Sequence, residues 1–87
     1  MTKITKPPTD EIDLHAMTVD EAIPAIEAFL YAAYKARLTR VWIIHGKGTG
    51  VLRQEIRRYL KKHTLVKSFQ TADGYKGGHG ATMVELG

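Results

Sequence analysis

Two short stretches hold the side chains most able to do chemistry. In Asp13-Leu14-His15 a carboxylate and an imidazole stand two residues apart. On an extended strand both project from one face while Leu14 turns to the other. A carboxylate so placed raises the basicity of the imidazole and fixes its orientation, which is a general acid–base arrangement. Solvated residues at a strand end would give the same spelling. The second stretch is IIHGKGTGVLR, from Ile43 to Arg53. Gly46, Gly48 and Gly50 alternate there with Lys47 and Thr49. Glycine gives up much conformational entropy on folding, so such density implies a backbone that bends sharply or approaches something closely. Between a strand and a helix, the loop would offer free amides and the positive end of a helix dipole to an anion. Lys47 adds charge, and Thr49 a hydroxyl donor or helix cap. The spacing matches neither a Walker A loop nor a dinucleotide fingerprint, which argues against nucleotide hydrolysis and NAD binding. A turn that needs glycine for its own sake is the competing reading.

Other residues extend these two groups. His45 ends an apolar run and stands beside the loop. Arg53 falls one turn into the following helix, close enough for its fork to neutralise charge building on phosphorus. Arg57 lies one turn further along the same helix. In GYKGGHGAT, Tyr75 could stack on a base while Lys76 and His79 contact phosphate. A mobile hairpin tip would account for that segment equally well. Trp42 reads as core, since it lies within an apolar strand.

The elements that must position these groups can be read from periodicity. Residues 1–11, with adjacent prolines and mixed charge, read as a linker or frayed leader, and 12–87 as the folded domain. Residues 12–15 alternate as a short strand. Thr18 opens a helix, with Glu21 completing a capping box, and Ala22, Ile26, Phe29, Leu30 and Ala33 share one face. Pro24 is tolerable there if Asp20 is the true cap. Residues 40–45 read as a central strand. Leu52, Ile56, Tyr59 and Leu60 mark a second helix, whose end at Lys61, Lys62 and His63 suits the dipole by charge. Residues 66–72 and ATMVEL read as two further strands, paired antiparallel across a flexible turn region. The order is β-α-β-α-β-β. Right-handed crossovers put both helices on one face of a four-stranded mixed sheet, an α/β two-layer sandwich. Strands 1 and 2, being parallel, then end on one edge. Asp13, His15, His45 and the glycine loop would converge there, where open α/β sheets take ligands.

The bulk properties set loose bounds. The chain has 87 residues, enough for one domain, and a net charge of +4 that leans toward polyanions. The absence of cysteine removes disulfides, thiolate metal sites and thiol nucleophiles, and fits a cytoplasmic location. No apolar stretch approaches the roughly 18 residues that suggest a membrane span, and no signal-peptide core follows Met1. The chain reads as a module of a larger protein with no membrane partner.

With these residues in hand, the chain resembles a Smr domain, named for small MutS-related. The resemblance covers nearly all of residues 12–86 and rests on three motifs in order: IDLHAMTVDEA, IIHGKGTGVLR and GGHGATMVEL. It is most similar to the type at the C-terminal end of a bacterial MutS paralogue that suppresses recombination. The resemblance implies a sandwich like the C-terminal domain of bacterial translation initiation factor three. It also implies binding to DNA or RNA and, in several members, endonuclease activity. It associates activity with Asp13 and His15, with the loop from His45 to Gly48, and with Arg53. One departure is Ala16, where the family has glycine; a positive φ there would strain alanine. On the enzyme reading, His15 oriented by Asp13 is general base or acid, and His45 is its complement. Lys47, Arg53 and the loop amides then hold the scissile phosphate. No metal is required, although one carboxylate and two histidines could ligate a single divalent ion. The other reading drops catalysis and keeps an adaptor that delivers a larger protein to nucleic acid or to a ribosome.

Overall fold

A computed structural model describes residues 10–87; most of the segment read as a leader lies outside the described residues. The chain order is β1 (Glu11–Asp13), α1 (Val19–Lys35), β2 (Arg40–Ile44), α2 (Val51–Lys61), β3 (Val66–Thr71) and β4 (Ala81–Leu86). Two short 3-10 turns, Gly74–Lys76 and Gly78–Gly80, replace the flexible segment before β4. The first strand begins at Glu11, inside the expected leader, and stops at Asp13, so His15 lies just past it.

The sheet runs β1-β2-β4-β3. β1 and β2 are parallel, with Asp13 opposite Ile44. β4 is antiparallel to both β2 and β3. Val41 and Ile43 of β2 point into one apolar cluster with Ile26 and Leu30 of α1, Ile56 and Leu60 of α2, and Val84 of β4. Both helices therefore cover the same face, as right-handed crossovers require. Trp42 and Ile44 alternate with these residues and so occupy the other, helix-free face. Leu14 is fully buried just after β1. Burying such a side chain contributes about 1.5–3 kcal/mol and anchors the residue that precedes His15.

Helix α1 starts with the expected capping box: the Glu21 amide donates to Thr18 Oγ1, and the Thr18 amide donates to Glu21 Oε1. Thr18, not Asp20, is the cap, so Pro24 sits in the second turn and deprives the Asp20 carbonyl of its helical donor. The helix ends in a Schellman motif, with Leu38 N–H bonded to the Ala33 carbonyl and Arg37 at φ 63°. At the far end of α2, His63 departs from expectation. Its Nδ1 accepts the Leu65 amide and its Nε2–H donates to Glu27 at 2.9 Å. A ring nitrogen that accepts an amide proton is unprotonated, so His63 joins α1 to α2 as a neutral clamp, not as a cation for the dipole. Tyr31 and Tyr59 meet its ring edge-on.

Candidate functional site

The C-terminal ends of β1 and β2 and the start of β4 meet at one edge of the sheet. The glycine loop occupies it. Gly46, Gly48 and Gly50 have φ of 80°, 39° and 88°, a region that alanine enters only at a cost. The turn thus needs its glycines for backbone reasons, and the same bends leave the start of α2 open. Gly50 caps α2 without a side chain, and no acidic residue lies in the first turn. Thr49 Oγ1 reaches the Val51 amide only at 3.4 Å. The loop and residues Ala16–Val19 line a cleft of about 360 Å³ that also takes in Leu52 and Arg53. Free first-turn amides, a helix dipole and the exposed Lys47 give this cleft the character of an anion site.

Asp13 and His15 stand at its rim. Asp13 Oδ1 accepts the His15 backbone amide at 3.1 Å and lies 2.6 Å from His15 Nδ1. These two bonds hold the Asp13 carboxyl below its ordinary pKa, the imidazole bond contributing most. An ionised carboxylate can only accept, so Nδ1 carries a proton, and in the neutral form of the ring Nε2 holds the lone pair. The His15 side chain is 69% exposed, so Nε2 is open to a ligand. A Cβ built on Gly46 would come within 3.5 Å of His15 Cβ, so His15 stands close beside the glycine loop. Ala16, where the resemblance expected glycine, does adopt a positive φ of 69°.

His45 differs from the expectation. It is 4% exposed, and both ring nitrogens are engaged: Nδ1 with the Gly46 carbonyl at 2.8 Å and Nε2 with Thr82 Oγ1 at 2.9 Å. Burial pushes its pKa down; the Gly46 bond opposes this, and Arg53 and Arg57 reinforce it. The neutral ring donates from Nδ1 to the carbonyl and accepts the Thr82 hydroxyl at Nε2. No nitrogen remains to exchange a proton with a substrate, so His45 is a support under the glycine loop.

Arg53 lines the cleft and donates from Nη2 to Thr71 Oγ1 at 3.2 Å. Arg57 donates to the same oxygen at 3.0 Å and lies over the Phe69 ring. Two guanidinium groups thus share one neutral hydroxyl, and no carboxylate pairs with either among the described residues. Both Nε atoms are buried without a partner. Burial, and then Arg53, lowers the pKa of Arg57. Like charges crowded without a counter-ion are destabilising on a helix. A ligand anion would relieve them.

The 74–82 segment divides. The Gly80 carbonyl accepts the amides of His45 and Gly46, tying this segment to the loop. Tyr75 and His79 stand exposed outside the cleft, and the Lys76 ammonium lies 4.6 Å from the centre of the Trp42 ring. Trp42 itself is not in the core; it is half-buried on the helix-free face. Three residues of the site went unread: Gly80, Thr71 and Thr82. Thr82 carried a usable signal, being a polar residue in the inward row with Val84 and Leu86. Among the described residues no three His, Cys, Asp or Glu cluster as metal ligands; Asp13–His15 here and Glu27–His63 between the helices are pairs only. Among them, too, no helix is long and apolar enough to cross a membrane. A larger hollow of about 550 Å³ lies at the opposite end, beside Tyr34, Arg37 and Leu86, and holds no acid–base pair.

Comparison with known proteins points the same way. The family model described as Smr domain matches residues 12–87. Endonuclease MutS2 of Caldicellulosiruptor saccharolyticus is 52% identical over 75 residues, which is 86% of this chain and 10% of that protein. Endonuclease MutS2 of Geobacillus kaustophilus is 46% identical over 76 residues, 87% of this chain and again 10% of the relative. The chain thus spans about a tenth of the length of the curated relatives it matches. Among solved structures, the Smr domain of Thermus thermophilus MutS2 superposes with a TM-score of 0.87 at 42% identity, covering 91% of this chain and 99% of that one. YdaL, a stand-alone small MutS-related protein of Escherichia coli, gives 0.84 at 30% identity, covering 88% and 63%.

Proposed function

This chain belongs to the Smr domain family, and from that premise we propose that it is a nucleic-acid-binding module that cuts phosphodiester bonds. The observation that carries the reading is the hydrogen-bonded Asp13–His15 pair, with His15 close beside Gly46 of the loop that lines the cleft. The phosphate enters against the first-turn amides of α2 and Lys47. His15 Nε2 takes a proton from the attacking oxygen, water or a ribose 2′-hydroxyl. Asp13 holds the ring and stabilises the imidazolium that forms. Arg53 and Lys47 neutralise the charge that builds on the phosphoryl oxygens. The protonated His15 then returns its proton to solvent or to the leaving oxygen. His45 acts as a positioning residue by bonding the Gly46 carbonyl. Arg57 and Thr71 extend the grip to a neighbouring phosphate. Tyr75, Lys76 and His79 contact the strand beyond the cleft. Gly48, Thr49 and Gly50 shape the amide cradle.

Within a longer protein such as the MutS2 relatives, the module would act in recombination suppression or repair in the cytoplasm. The test is to incubate the purified chain with supercoiled plasmid and with labelled RNA, with and without chelator. Cutting that persists in chelator and disappears in both Asp13→Asn and His15→Ala supports the reading. Tight binding without cutting by the parent chain leaves an adaptor that targets nucleic acid or a ribosome.

A further inference from the structure

The helix-free face of the sheet holds a second hollow, of about 150 Å³, that the cutting reaction does not use. Met83 of β4 lies in its wall, between the flanking positions Trp42 of β2 and Gln70 of β3, which pair with it in register. Tyr75, 85% exposed, and Asp73 complete the rim. We propose that this hollow binds one unpaired base of the nucleic-acid strand whose backbone lies in the cleft, with Trp42 as the stacking surface. The proposal rests on the nuclease reading and names a substrate subsite for it.

The chemistry selects a base over a phosphate. Arg40, the nearest guanidinium, is already paired with Glu85 at 3.1 Å. Asp73 places a carboxylate at the rim, which repels an anion. The Gln70 amide offers both a donor and an acceptor, suited to the edge of any base. Trp42 and Tyr75 supply aromatic faces, and stacking on such faces is tolerant of sequence. The size admits a single flat ring and excludes a paired duplex. Lys76 now covers the Trp42 ring. Its long side chain can yield that face to a base and turn its ammonium to the adjoining phosphate.

The position fits as well. Asp13 is opposite Ile44 in the register, and Trp42 lies two residues back on the same face, about 6.6 Å along the strand. A strand held at the His15 rim therefore reaches the hollow within one or two nucleotides. A partly apolar surface on an uncovered sheet, bordered by Lys76, matches single-stranded nucleic acid in both charge and shape.

Trp42 is the sole tryptophan of the chain, so its emission reports directly on the hollow. The full chain is titrated with a single-stranded oligonucleotide, the matching duplex, and a series carrying one abasic position. Anisotropy of a terminal label on the oligonucleotide measures binding independently. Single strands are expected to quench Trp42, and duplex to quench it far less. In an oligonucleotide short enough to bind in one register, the abasic position that falls at the hollow should abolish quenching and weaken binding roughly 5- to 100-fold, and the other positions should not. Trp42→Ala should show the same loss in affinity, and Trp42→Phe should recover part of it; Gln70→Ala provides a variant with no aromatic removed. Binding and cutting with unquenched Trp42, and an unaltered affinity in Trp42→Ala, would overturn the base site alone. No binding by anisotropy to any strand would overturn the nuclease reading with it.

Discussion

Replacing Thr82 by valine tests whether His45 is a support for the loop. Thr82 is fully buried, and its hydroxyl is the partner of His45 Nε2 at 2.9 Å. Valine keeps the branched shape and the strand preference but leaves that nitrogen orphaned in the interior. An unsatisfied buried polar atom costs about 1–3 kcal/mol, and burying a methyl in place of the hydroxyl returns about 0.8 kcal/mol. The net loss is about 1 kcal/mol, or 4–8 °C in Tm for a domain of this size. A second consequence follows for the site. The same imidazole donates to the Gly46 carbonyl, so a tilted ring loosens the turn beside which His15 stands. Thermal unfolding by circular dichroism gives the first quantity, and the cutting rate on a labelled strand gives the second. The decisive comparison places Thr82→Val in a His45→Asn background. Asparagine has no atom at the Nε2 position, so nothing is orphaned and the valine becomes neutral or stabilising. A Thr82→Val chain as stable as its parent, or an equal loss in both backgrounds, would refute this reasoning.

Three further outcomes are expected. Ala16→Gly should raise Tm by about 2–8 °C, because the left-handed backbone at φ 69° costs alanine more than glycine loses in entropy; calorimetry would show a fall in Tm if that strain were absent. Arg57→Gln should lower the slope of log binding constant against log salt by about 0.7–0.9 while leaving Tm unchanged or raised, as fits one lost phosphate contact and one relieved repulsion. Burial sets the folded pKa of His45 below its ordinary 6.5, so the neutral form's contribution to stability is complete above about pH 6.5 and is lost as pH falls through the folded value; a Tm series from pH 7.5 to 4.5 should show that decline flattened in His45→Asn.

How far the chain could be read before its structure was known depended on the range of the interaction involved. The Thr18–Glu21 capping box, the apolar stripe of α1 and the ATMVEL strand are local patterns, and each forms at its expected place. The convergence of Asp13, His15 and the glycine loop followed from topology, since parallel neighbours end on one edge. What escaped was set by pairings distant in sequence. Nothing near His45 announces that Thr82, 37 residues away, will take its second nitrogen. The apolar setting of Trp42 suggested the core, but β2 alternates strictly, and in a two-layer fold half of its residues face away from the helices. His63 read as a cation because it follows two lysines; Glu27 and the Leu65 amide decide otherwise.

The central claim is that the imidazole of His15 moves the proton during cutting. The most direct measurement is single-turnover cutting of one labelled strand by His15→Ala, with its dissociation constant measured in parallel and free imidazole added stepwise. The expected result is a rate lowered roughly 100- to 10,000-fold, an affinity close to that of the parent, and partial recovery that grows with imidazole, since the position is open to solvent. Cutting by His15→Ala at the parent rate would contradict it.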